Sequence, residues 1–390
     1  MEQGKRQSFW KFIKRIRRNK IIFMKQIPLV DLPRQNKLLQ KEIDQVLHHS
    51  VSNALFTMGG PLEHFEEDFA RFCNKKYCVG VNSGTDALLF ALIAYNIHPG
   101  DEVITVPNSY FSTAMVISQL GATVVFVDID PKTYTIDPKK IEEKITQKTK
   151  AIIPVHLYGQ PADMDAIITL AKKYNLSIIE DSCQAHGAQY KNVTTPISET
   201  GAFSFFPGKN LGGFGDGGAL VTDNKNVAKI ARLLRNDGSM KKYVHESIGY
   251  KSRLHSLQAA ILSMKLPHLP LWNSKRNAHA RQYSKLLAHV PQITTPQTAS
   301  YANHAYHLYV IEVNDRDALQ KHLAKNGIET GVHYPIPIHL QKPYRNGRYK
   351  KGDFPITEEK SQRILSLPLF PELQTDEIEY IVDAIKMFYS

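Results

Sequence analysis

Three absences narrow the reading before any motif does. Cysteine is scarce: Cys73, Cys78 and Cys183 are the only three in 390 residues, and no two form a C-x-x-C pair. An odd count without that spacing argues against a disulfide framework and for reduced thiols, so a cytoplasmic location is expected. No uninterrupted apolar run reaches the roughly 20 residues that a membrane-spanning helix needs. The 16 histidines are scattered. Neither His304/His307 nor His333/His339 comes with the cysteine or acid set of a zinc site, so no metal is expected. Internal repeats and low-complexity tracts are missing too. What remains is an ordinary globular composition, 42% hydrophobic, at a length that favours two packed domains.

The net charge of +12 is unevenly spread. Residues 1–23 carry +7 of it, and the rest of the chain only +5. A mildly basic body suits an anionic small substrate and gives no reason to expect nucleic acid. In the basic segment Phe9, Phe12, Ile13 and Ile16 fall at i, i+3, i+4 and i+7 with cations between them. That amphipathic pattern suits weak contact with an acidic membrane surface. It is no secretory signal, because the apolar h-region is missing. Residues 1–25 are therefore expected to be a dispensable basic extension.

From Pro33 to Phe72 the pattern is helical, and Phe65, Phe69 and Phe72 read as core. Strands are then expected at Val103–Val106, Thr123–Asp128, Ala151–Leu157, Ser177–Glu180, Ala202–Phe205 and Ala219–Thr222, with helical stretches between several of them. This alternation predicts an α/β fold: a large domain, residues 26–265, with a mostly parallel sheet flanked by helices. Ile261–Leu287 reads as a long helical link interrupted near Pro267 and Pro270. Residues 266–390 are expected to form a smaller C-terminal α+β domain. It contains a strand at His307–Val313 and helices at Ala318–Asn326 and Asp376–Phe388.

The chemistry concentrates in three segments. Ala202–Gly218 reads AFSFFPGKNLGGFGDGG, with one lysine, Lys209, hemmed in by glycines. A P-loop is excluded: Gly201 lies too far upstream of Gly208, and Asn210 stands where Ser or Thr should hold magnesium. Two readings stay open, a Gly-rich surface turn and a Schiff-base lysine for pyridoxal phosphate (PLP). Leu176–Ala188, LSIIEDSCQAHGA, is a short strand ending in acids, 28 positions before Lys209 at Asp181. PLP chemistry needs a carboxylate there to keep the pyridine nitrogen protonated, although an acid in that place also serves as a plain helix cap. Val79–Leu92, VGVNSGTDALLFAL, runs from a strand into an apolar helix whose first amides would form a phosphate site.

In this order, SGTDAL, EDSCQAHGA and FSFFPGKNLG…GDGG resemble the DegT/DnrJ/EryC1/StrS family of nucleotide-sugar aminotransferases, from about Ile27 to the C-terminus. Met24 begins MKQIPLVDL, which is similar to a normal start in that family. The resemblance implies a fold type I PLP enzyme. It implies Lys209 as the Schiff-base lysine, where related sugar dehydratases carry His, and Asp181 as the partner of the pyridine nitrogen. Gln184 would pack against the ring near its hydroxyl. Gly84 and Thr85 would cradle the phosphate with Ser204, and Tyr110 would stack on the ring. Ile248–Ala260 (IGYKSRLHSLQAA) departs from the pattern twice. Lys251 stands where an Asn reaches the PLP phosphate of the other subunit, and His255 replaces an acid. The resemblance further implies a homodimer with shared active sites, L-glutamate as amino donor and a nucleotide-diphosphate ketosugar as acceptor. The acceptor would be a 3-keto-6-deoxyhexose on dTDP, on the way to surface polysaccharide or a glycosylated metabolite. Asn236–His245 and Val332–Tyr344 look like the loops on the substrate side. A 4-keto sugar aminotransferase and a non-catalytic PLP-binding regulatory homologue are the alternatives.

Overall fold

The computed structural model describes residues 25–345 and 347–390, and the basic segment 1–23 lies outside them. The helical pattern of 33–72 resolves into three helices, α1 (Leu32–Leu38), α2 (Gln40–Ser52) and α3 (Gly60–Phe72). Gly59, at φ +108°, and Pro61 in the first turn mark the start of α3. This helix buries Phe65 and Phe69. Phe69 meets Phe203 and Phe205 edge-on at ring-centroid distances of 5.1 and 5.2 Å. The aromatic run ahead of Lys209 is thus clamped from beneath.

Seven strands form the central sheet: β1 (Tyr77–Val81), β2 (Glu102–Thr105), β3 (Thr123–Phe126), β4 (Thr149–Ile152), β5 (Ser177–Asp181), β6 (Thr200–Ser204) and β7 (Gly218–Thr222). Their order is β1-β7-β6-β5-β4-β2-β3. Neighbours from β6 to β3 run parallel, and β7 is antiparallel to both β1 and β6. The expected mostly parallel sheet is present. Helices α4 (Gly84–Ala94), α5 (Ser112–Gln119), α6 (Met164–Tyr174) and α7 (Lys225–Arg235) connect it. The sequence expectation overran several strands: 123–128 stops at Phe126, 151–157 stops at Ile152, and 307–313 is strand only over Tyr309–Glu312. Pro154 has no N–H to continue the ladder; its carbonyl instead accepts from Asp181 N at 2.9 Å.

The long link is helical and broken where the prolines stand. Helix α8 (Ser256–Lys265) passes through a 3-10 turn at Leu266–His268 into α9 (Leu269–Leu287). A second core collects α9, the antiparallel pair β8 (Tyr309–Glu312) and β9 (Ile364–Leu367), and helices α10 (Arg316–Lys325) and α12 (Thr375–Tyr389). Strand β9 and the preceding α11 (Pro355–Arg363) were not anticipated. Ile27 is buried in this second core and bridges Ile328.

Candidate active site

Strand β5 delivers Asp181 to the carboxyl edge of the parallel strands, where open α/β sheets gather ligands. Its carboxylate is oriented by two donors. Thr113 Oγ1 donates to Oδ2 at 2.8 Å, and the Cys183 amide donates to Oδ1 at 3.2 Å. Ser109 Oγ sits 2.8 Å from Thr113 Oγ1 and extends the chain of hydroxyls.

After β6 the chain turns sharply, and Lys209 N donates to Phe206 O at 2.9 Å. The turn requires Gly212: a Cβ there would lie 2.2 Å from Pro207 O. Lys209 and Asp181 face one cavity of about 510 Å³. Dense surroundings desolvate the Lys209 ammonium and push its pKa below the ordinary lysine value, with Cys183 and Asp181 pulling weakly the other way. Burial, with the charge of Lys209 behind it, also drives His186 down to about 3, His333 to about 4, and His307 well below the usual histidine range. The imidazoles around the lysine are therefore neutral.

Helix α4 opens on the same cavity. Ser83 caps it, accepting from Asp86 N at 3.1 Å. The amides of Gly84 and Thr85 have no acceptor among the described residues. Ser204 closes on Gly84, where a Cβ would lie 2.9 Å from its own Cβ. Thr85 Oγ1 donates to Ser112 Oγ at 2.9 Å. Free amides, a helix dipole and hydroxyls at one point fit a phosphate group.

Gln184 lies against the cavity wall rather than free in it. Its Oε1 accepts from Tyr158 N at 2.7 Å, and its Nε2 donates to Tyr334 OH at 3.2 Å. Tyr110 lines the mouth, 59% exposed, with its ring centroid 5.9 Å from that of Tyr334. Seven of the eight sequence-selected residues thus meet: Gly84, Thr85, Tyr110, Asp181, Gln184, Ser204 and Lys209. Lys251 does not join them. It is exposed and pairs through its backbone with Asn236, outside this cavity. The 236–245 stretch likewise forms a separate hairpin, Ser239–Lys241 with Val244–His245, whereas His333 and Tyr334 of the 332–344 loop do line the cavity. Sequence reasoning missed Thr113 and His307. Thr113 carried no local signal. His307 reads in sequence as the start of a strand and, with His304, as no zinc site.

With this geometry in place, the comparisons decide the identity. A profile of the DegT/DnrJ/EryC1/StrS aminotransferase family matches residues 37–386. The chain belongs to that family. Among its relatives, the dTDP-3-amino-3,6-dideoxy-alpha-D-galactopyranose transaminase of Aneurinibacillus thermoaerophilus is 45% identical, over 93% of this chain and 99% of the relative. A protein named "Pleiotropic regulatory protein" from Geobacillus stearothermophilus is 44% identical, over 93% and 98%. The solved structure of S. venezuelae DesV superposes with a TM-score of 0.91 at 42% identity, covering 93% of this chain and 98% of that one. Structural neighbours include PLP and PMP forms. This member of the DegT/DnrJ/EryC1/StrS family is a PLP-dependent aminotransferase, and its residues fit the cofactor. Lys209 would offer the amine, Asp181 a carboxylate, and Gly84, Thr85 and Ser204 a place for the phosphate, all lining one cavity.

Proposed function

We propose that this aminotransferase moves an amino group from L-glutamate to the keto carbon of a nucleotide-linked deoxysugar, C3 of a dTDP-3-keto-6-deoxyhexose. The observation that carries the reading is Lys209 and Asp181 facing one cavity that also holds the free amides of Gly84 and Thr85. Bound there, PLP supplies an electron sink for the carbon that loses its proton. Lys209 Nζ removes the α-proton of the donor and returns a proton in the second half-reaction; burial lowers its pKa and so favours the free base. Asp181, held by Thr113 and the Cys183 amide, keeps a proton on the ring nitrogen. The 45% identical dTDP-sugar transaminase supports the choice of acceptor.

The proposal extends to a cytoplasmic homodimer with shared active sites, in which Lys251 meets the cofactor phosphate of the partner subunit. It keeps residues 1–25 as a basic accessory segment with weak membrane-surface contact, 26–265 as the large domain and 266–390 as the small one. A regulatory protein without turnover is the second reading, favoured by the name of the 44% identical relative. One experiment separates the two. Enzyme loaded with PLP is given L-glutamate and dTDP-ketosugars, and 2-oxoglutarate and aminosugar are measured by mass spectrometry. Equal amounts of both products, absent in Lys209→Ala, support the transaminase. PLP retention with no product supports the regulator.

A further inference from the structure

Two side chains in the cavity have their hydrogen-bond polarity dictated from outside it. The first chain of dependence starts at backbone carbonyls, which only accept. Asn273 Nδ2 donates to His186 O at 2.8 Å, so Asn273 presents its Oδ1 to Asn210. Asn210 Nδ2 donates to that oxygen at 2.8 Å and to Ala305 O at 2.9 Å. The carbonyl oxygen of Asn210 is therefore what faces His307 Nδ1, at 3.3 Å. An amide oxygen cannot donate, so Nδ1 carries the proton. The neutral ring then bears its lone pair on Nε2, which has no partner among the described residues, and His307 lines the cavity. The His307 backbone is pinned as well: its N–H donates to Tyr158 O at 2.8 Å.

The second chain starts at a backbone donor. Tyr158 N–H fixes Gln184 Oε1 as acceptor, so Gln184 Nε2 donates to Tyr334 OH. The phenol proton of Tyr334 is left for the cavity. The site therefore offers a fixed acceptor at His307 and a fixed donor at Tyr334, with Lys209 lining the same space.

We propose that His307 is a specificity-determining residue for the sugar half-reaction. Its Nε2 accepts a hydrogen bond from a hydroxyl on the ring carbon next to the one that receives the amine. Tyr334 donates on the other side, to the oxygen of the keto group. The inference rests on the nucleotide-ketosugar reading above. A buried acceptor without its donor is costly, so a substrate lacking the hydroxyl should be disfavoured.

The test has a spectroscopic arm and a kinetic arm. Nitrogen NMR of histidine-labelled whole protein should show a resonance pair of a neutral Nδ1–H tautomer that disappears in His307→Gln. A neutral Nε2–H tautomer at that residue overturns the proposal. In the PLP-loaded enzyme, His307→Leu should raise the KM for a ketosugar bearing the vicinal hydroxyl about 10- to 100-fold. His307→Gln, which keeps an acceptor at that reach, should recover most of the loss. For the vicinal-deoxy analogue, His307→Leu should match or exceed wild type. An equal loss for both sugars, or no loss for either, overturns the proposal while leaving the transaminase reading intact. Wild-type enzyme that aminates no nucleotide-linked ketosugar removes that reading and the proposal together.

Discussion

Thr113 Oγ1 donates to Asp181 Oδ2 at 2.8 Å across 68 residues of sequence, joining the start of α5 to the end of β5. In the proposed reaction Asp181 meets a single ring nitrogen and so needs a fixed direction. Thr113→Val keeps the shape and removes the donor. We expect amine transfer to fall about 10-fold, corresponding to roughly 1.4 kcal/mol, with thermal stability within about 1 kcal/mol of wild type. Single-turnover rates and an unfolding curve check this; an unchanged rate would show that the Cys183 amide alone suffices.

Glu66 and Arg235 form a buried ion pair at the edge of the sheet. Gly80 is tied into it: its amide donates to Glu66 Oε1 at 2.7 Å and its carbonyl accepts from Arg235 Nη1 at 2.8 Å. Glu66→Ala leaves a buried guanidinium without its partner, and a loss of about 3–5 kcal/mol is expected in urea unfolding. The double variant Glu66→Met/Arg235→Met should recover only part of this, because the Gly80 amide and carbonyl stay unpaired.

His255 is the N-cap of α8 and makes no side-chain cap hydrogen bond. Aspartate accepts from the first-turn amides and complements the helix dipole. His255→Asp should therefore stabilise the protein by about 0.5–1 kcal/mol, seen as a higher melting temperature at pH 7. A lower one would mean that His255 serves a contact between subunits.

Acid should weaken the fold through His304. Its ring stacks on Tyr306 at 3.9 Å, its Nδ1 accepts from Tyr306 N at 2.8 Å, and burial pushes its pKa down to about 3. The unfolded chain binds this proton near the ordinary pKa of about 6.5 and the folded chain does not. Stability from this group is thus complete above about pH 6.5. It falls by about 1.4 kcal/mol per pH unit as the pH drops toward 3. Urea midpoints between pH 7 and 5 measure the slope. His304→Asn, which keeps an acceptor, should reduce the slope and leave the part that the buried His186, His307 and His333 contribute.

Much of the site was legible because its residues lie in short contiguous motifs. Ser83–Thr85 open a helix, Asp181 ends a strand, and Lys209 sits in a glycine-bounded turn. Each of these has a local chemical reason that survives without the fold. Thr113 and His307 have none: their roles depend on Asp181 and on Asn210, 97 residues from His307. Strand β9 hid for another reason. Its ladder partner is β8, more than 50 residues earlier, and it follows directly on a charged helix that blurs the period. The over-long strand at 151–157 shows the reverse error: apolar composition continued, but beyond Ile152 the pairing shrinks to a single bridge, Val155 to Asp181, around Pro154.

Gly218 does not line the cavity, yet a Cβ there would lie 2.3 Å from Ser83 C and 2.5 Å from Gly84 N. Any side chain at 218 displaces the first turn of α4, and with it the pair of amides at the head of the cavity. In a saturation library, position 218 should tolerate substitution as poorly as Lys209, with an opposite signature. Its variants would retain the lysine but hold PLP weakly, so excess PLP in the assay would restore an activity that no supplement restores at 209. The tightest specification of the anion pocket is thus written at a residue whose contribution is empty space.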